Sequence, residues 1–136
     1  MENNMDPCIP IAEIYGKTLK LFQDRSRWAQ GYYNFYENGE RCARWNEGHS
    51  FCVLGANLFH AEGFSHRSQC CLQRVSEHLY GEVIQEVNDA PDADGAYKKV
   101  MFALQFAKEL WEGREPSDEE LGMPVVDLLN KRKAHG

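Results

Sequence analysis

Apolar positions recur at helical spacing from early in the chain. Ile11, Tyr15, Thr18, Leu19 and Phe22 keep the i, i+3/i+4 rhythm, with Ile14 and Leu21 widening the stripe. Residues 9–24 therefore predict an amphipathic helix, and Pro10 suits its first turn. The period then changes. In GYYNFYENGERCARW, Asn38-Gly39 stands between aromatic-rich flanks, the signature of a β-hairpin over about 31–45. A two-residue loop there pairs Phe35 with Cys42, Tyr33 with Arg44 and Tyr32 with Trp45. One face then carries Tyr33, Phe35, Cys42 and Arg44, and the other carries Tyr32, Tyr36, Arg41, Ala43 and Trp45. An isolated hairpin is marginal in water, so at least one face must pack on helices.

Ser50 is the expected N-cap of a helix running to about Glu62, with Gly63 as its stop. Cys71, Leu72, Val75 and Leu79 mark a second helix over 67–80, interrupted at Gly81. Residues 82–87 fit either a last helical turn or a short strand. NDAPDADG (88–95) is a loop in which Asp92 or Asp94 is placed to cap the strongest helix, about 96–112. Its stripe of Ala96, Val100, Ala103, Leu104, Ala107, Leu110 and Trp111, flanked by Phe102 and Phe106, is wide enough for a central, buried element. Residues 113–124 read as a polar connector. Val125, Val126, Leu128 and Leu129 predict a short docking helix, and 131–136 a flexible tail. The sum is a single α+β domain over 1–136, mostly α, with four to five helices around a central helix and one β-hairpin.

Composition narrows the function classes. The chain of 136 residues can bury one core, and it has no apolar run of membrane-spanning length. Its first ten residues, MENNMDPCIP, lack the basic and apolar regions of a secretory signal. Five cysteines is an odd number, and Cys70 adjoins Cys71, so thiols in a reducing cytoplasm are expected. A net charge of −6 supplies no basic stripe for phosphates. The one basic run, Lys131 to Lys133, reads as solvated tail, so nucleic acid is not the expected partner.

The candidate chemistry centres on Cys52. Two residues after the capping Ser50, its thiol would sit among free backbone N–H groups that favour a thiolate. His60 lies eight residues along the same helix, about 12 Å away at ~1.5 Å per residue, too far to serve as its base. His49 is in a loop. A base would have to come from the Asn88-Asp89 loop, His66 or His78. Against this, Cys52, Gly55, Ala56, Phe59 and Gly63 share one helix face, and small residues in line let another backbone approach. Close packing is the favoured reading of Cys52, ahead of a nucleophile and well ahead of a metal ligand. No C-x-x-C or H-x-x-x-H is present, and His60, His66, Cys70 and Cys71 match no common zinc spacing. No metal and no cofactor are expected.

Three short pieces occur in order: W-x-Q-G at Trp28 to Gly31, C-x-L-G-A at Cys52 to Ala56, and N-D-A-P at Asn88 to Pro91. Together they resemble an uncharacterised family of small bacterial and phage-borne proteins, known only as a domain of unknown function. The resemblance spans roughly 28–110; where the family pattern has a tryptophan before the N-D pair, this chain has Val87. It implies a compact bacterial or phage intracellular domain, and it nominates Trp28, Gln30, Cys52, Asn88 and Asp89 as positions to watch. For Asn88 and Asp89 the favoured role is to satisfy loop backbone and cap the next helix.

No complete catalytic constellation is visible, so a non-enzyme is the leading expectation. It is a protein-binding accessory or inhibitor domain, whose partner is another protein or a second copy, acting through Tyr32, Tyr36, Arg41 and Trp45. Burial of that face in the core is the competing reading. The alternative function is a small thiol-dependent amide hydrolase or transferase. Cys52 would be its nucleophile, Gln30 would help hold the oxyanion, and Asn88 or Asp89 would orient the base.

Overall fold

Helix α1, Ile11–Phe22, buries Ile11, Ile14, Tyr15, Thr18 and Phe22, the apolar face its period predicts. It belongs to a computed structural model that describes residues 9–44, 46–63 and 65–135. Six more α-helices follow among these residues: α2 (Val53–Ala61), α3 (His66–Tyr80), α4 (Ile84–Asn88), α5 (Ala93–Trp111), α6 (Asp118–Leu121) and α7 (Val125–His135). Two are single turns, which leaves five of nine residues or more. With one two-stranded antiparallel sheet, the chain is a mostly helical α+β fold.

Helix α5 is the central element. It packs on α1, α3 and α4, and it buries Ala96, Val100, Ala103, Leu104, Ala107, Leu110 and Trp111. The apolar arc is narrower than the sequence suggests, because Phe102 is 57% exposed. Asp92 is the N-cap residue of α5, but its side chain makes no capping bond. Residues 82–87 resolve as the approach to α4, a helical turn and not a strand. Its first N–H is taken by Gln73 Oε1 of α3 at 2.8 Å.

The sheet departs from the expected hairpin in register. Strand β1, Asn34–Phe35, pairs with β2, Ser50–Phe51, which places Asn34 opposite Phe51 and Phe35 opposite Ser50. On its other side β1 meets residues 40–42. There Phe35 bridges to Arg41, and Asn34 O accepts from Cys42 N at 2.9 Å. The turn has three loop residues and not two: Gly39 N donates to Tyr36 O at 2.9 Å and Tyr36 N to Glu40 O at 2.7 Å. Gly39 takes the left-handed conformation, φ 90°, that closes such a loop. One extra loop residue shifts the pairing by one, and a shift of one exchanges the faces. Cys42, expected opposite Phe35, instead lies opposite Asn34, and both are buried.

Two further expectations are corrected. Ser50 does not cap α2; it lies in β2, and Cys52 is the N-cap, with Gly55 N–H directed at its Sγ at 3.4 Å. The stretch 131–135, expected as tail, continues α7. Lys131 Nζ lies 3.4 Å from carboxylate oxygens of Glu119 and Glu120, and Arg132 donates to Leu110 O at 2.6 Å. Within the polar connector, Ser117 and Glu120 form a reciprocal capping box that starts α6.

Candidate functional site: a pocket where three segments meet

The segments 28–31, 52–56 and 88–91 come together in space, and the Asn88 side chain joins them. Asn88 is 1% exposed. Its Oδ1 accepts from Trp28 Nε1 at 2.8 Å and from Val53 N at 3.0 Å. Its Nδ2 donates to Ala29 O at 3.0 Å and to Asp89 Oδ1 at 2.9 Å. Two bonds accepted and two donated fill the capacity of a side-chain amide. Gln30 reinforces the junction: its Nε2 donates to Asn88 O at 2.9 Å and to Ala90 O at 2.8 Å. Asp89 Oδ1 also accepts from Gly31 N at 3.0 Å. Both residues therefore satisfy loop backbone, but the backbone of 29–31 and the start of α2, not the cap of α5.

Gly55 explains why α2 can approach so closely. A Cβ built there would lie 1.9 Å from Tyr33 O and 2.8 Å from Asn34 Oδ1. Only a residue without a side chain lets β1 lie against the first turn of this helix. Cys52 N donates to the same Tyr33 O at 3.1 Å. Of the small-residue face Cys52, Gly55, Ala56, Phe59 and Gly63, the start at Cys52 and Gly55 lies against backbone, whereas Gly63 falls beyond α2 with open space around it.

Cys52 also looks into an opening. Gly31, Tyr32, Tyr33, Cys52, Leu54, Gln85, Asn88 and Asp89 surround a pocket of about 210 Å³. The pocket brings Cys52, Asn88 and Asp89 together, with Gln30 behind them. Their chemistry runs against catalysis by the thiol. Burial pushes the Cys52 thiol up to about 11, and the nearby Asp89 carboxylate adds to the rise. The backbone N–H groups of Gly55 and Leu54 oppose the shift but are outweighed, so desolvation wins over the helix start. Gln30 has both amide hydrogens committed to carbonyls, which leaves none for an oxyanion.

The histidines lie elsewhere. His60 Nδ1 is 3.0 Å from Thr18 Oγ1 on α1, His66 lies beside Cys70, and the His78 ring meets Phe106. The carbonyl of His49 accepts from Arg27 Nε. Among the described residues no group of three or more His, Cys, Asp or Glu is placed to hold a metal ion.

The aromatic residues form a surface beside the pocket. The Tyr32 ring meets Tyr33 and Phe35 edge-on, each at 6.1 Å between centroids, and the Arg41 guanidinium lies 4.7 Å from its centre. Tyr33 is 48% and Tyr36 40% exposed, and Arg41 is exposed as well. The register shift divides the expected face. Arg41 joins Phe35 and Tyr32, whereas Tyr36 lies on the Cys42 side, where that thiol raises the phenol's pKa. Trp45 lies outside the described residues. Tyr33, Gly31, Leu54 and Gln85 are pocket residues that sequence reasoning did not nominate as sites. Strand alternation sets Tyr33 on the face opposite Tyr32, but residues 31–33 are bends ahead of β1, and Gln85 lies in the stretch of ambiguous period.

No protein-family model matches the chain, and neither does any curated protein or solved structure.

Proposed function

We propose that this chain is a small protein-binding accessory or inhibitor domain, acting through the aromatic surface around Tyr32, Tyr33, Tyr36 and Arg41. The observation that carries this reading is the exposure of Tyr33 and Tyr36 beside a half-buried Tyr32 that holds the Arg41 guanidinium, in and around the strand segment β1. Tyrosine and arginine supply large rigid contact areas and dominate interface energetics where they cluster. Had these side chains been needed for the core they would be covered, as Tyr15 is, at 0% exposure. A cytoplasmic setting accords with Cys42, Cys52, Cys70 and Cys71 being free thiols, and no described helix is long and apolar enough to cross a membrane. The resemblance of the three motifs to a bacterial and phage family favours such a host. A thiol-dependent hydrolase would need an ionised Cys52 and a base beside it, and neither is supported by the surroundings of that thiol.

The test is affinity capture from the host with the tagged full chain, comparing wild type with Tyr36→Ser and Arg41→Ser. A partner lost from both variants while the melting temperature stays unchanged is the expected result. Retention of every partner by both variants would overturn the reading. Sedimentation of the same variants separates self-association from binding to another protein, because a second copy would be lost in the same way.

A further inference from the structure

The pocket beside the aromatic surface has the size and chemistry of a receptor for one side chain. A cavity of ~150 Å³ suffices to hold benzene, and drug-sized ligands take ~300 Å³ or more. At about 210 Å³ this pocket lies between the two, room for a single side chain and not for a cofactor. Its lining has two parts. Cys52, Leu54, Tyr32 and Tyr33 supply apolar walls, interrupted by the polar side chains of Gln85 and Asn88. At the rim stands Asp89, an exposed carboxylate. Gly31 N–H and Asn88 Nδ2 both bond its Oδ1, which fixes the group and leaves the bonding capacity of Oδ2 for a ligand.

Apolar walls beside an oriented carboxylate are complementary to a hydrocarbon stem carrying a cation. Resting on the binding role proposed above, the geometry points to a lysine or arginine side chain of the partner as the occupant of this pocket. Its stem would lie against Leu54 and the tyrosine rings, and its head would meet Asp89 Oδ2. Charge complementarity extends beyond the pocket, since a chain of net charge −6 attracts basic partners. Arg41 stacks on Tyr32 but is not part of the pocket lining, so it leaves the carboxylate unpaired.

The test is an NMR titration of the isotope-labelled full chain with butylguanidinium chloride, using butanol and sodium butyrate as neutral and anionic counterparts. Amide resonances of Gly31, Tyr33, Leu54 and Asp89 are expected to move saturably with the guanidinium, at millimolar affinity, and less as salt is raised. In Asp89→Asn the acceptor for Gly31 and Asn88 remains, so the fold is kept, and binding should weaken about fivefold. Equal shifts from butanol or butyrate, no shift from any of the three, or undiminished binding by Asp89→Asn would each overturn the proposal. Partner capture keeps the two readings apart. Loss of the partner from Tyr36→Ser and Arg41→Ser, with retention by Asp89→Asn, would leave the aromatic surface standing and remove the basic side chain.

Discussion

The indole N–H of Trp28 donates to the side-chain carbonyl of Asn88 at 2.8 Å across sixty positions of sequence, and both residues are buried. Asn88→Ala would strand the Trp28 indole, the Val53 amide and the Ala29 carbonyl together. Each orphaned buried group costs about 1–3 kcal/mol, and entering water recovers part of that. A loss of about 3–5 kcal/mol is therefore expected from denaturant midpoints. Asp89→Asn keeps its acceptor and should cost less than about 1 kcal/mol. Similar losses from both substitutions would show that the bonds of Asn88 do not organise this junction.

Two helical glycines should respond to alanine with opposite signs. Helix propensity alone favours alanine by about 1 kcal/mol. At Gly16 in α1 a Cβ would meet only the flexible end of Lys108, at 3.4 Å, so Gly16→Ala should stabilise by about 0.5–1 kcal/mol. At Gly55 the same Cβ would meet the Tyr33 carbonyl at 1.9 Å, and neither backbone can yield without disturbing the pocket. Gly55→Ala should destabilise by about 2–3 kcal/mol despite its better propensity. Thermal melts of the two variants decide the matter, and a stable Gly55→Ala would remove the close approach of β1 and α2.

Thiol reactivity provides a third check. Cys52 and Cys71 are pushed up to about 11 and about 12 by burial, and Cys42 is 1% exposed. Cys70 is partly exposed, with the His66 Nε2 at 3.4 Å from its Sγ. Near pH 8, iodoacetamide should label Cys70 first among these four. Burial raises the Cys52 thiol to about 11 and screens it from the reagent, so Cys52 should lag Cys70 by about tenfold or more. Peptide mapping of the alkylated chain would show the order, and rapid labelling of Cys52 would reopen its candidacy as a nucleophile.

How much of this was legible in the sequence depended on the range of the determining forces. The α5 stripe was readable residue by residue, because a helix face repeats within a few positions. The hairpin register was not: Asn38-Gly39 fits a two-residue loop and also a three-residue loop closed by Gly39. Pairing of β1 with β2, fifteen residues beyond Phe35, goes with the second. The place of Cys52 at a helix start is legible, but the direction of its shift depends on burial that local sequence does not reveal. The motifs that hold Trp28, Gln30, Cys52, Asn88 and Asp89 are visible in the sequence, yet their meeting rests on bonds spanning 35 to 60 positions.

The contact between α1 and α2 makes the fold sensitive to acid. Thr18 Oγ1 donates to Ile14 O at 2.9 Å, which uses its one hydrogen. It must then accept from His60, so Nδ1 of that ring carries a proton in the neutral form. Burial lowers the His60 pKa, and Lys17 acts in the same direction, while a bond with the Ala56 backbone opposes them. The folded state therefore takes up the second ring proton less readily than the unfolded chain, whose value is ~6.5. The unfolded state binds more protons as pH falls, so this contribution is fully present above ~6.5 and is lost as pH drops through the folded value. Melting temperature should fall between about pH 7.5 and pH 5, and His60→Asn, which keeps a donor near Thr18 but does not titrate, should flatten that fall. An equal fall in the variant would assign the acid sensitivity to other groups.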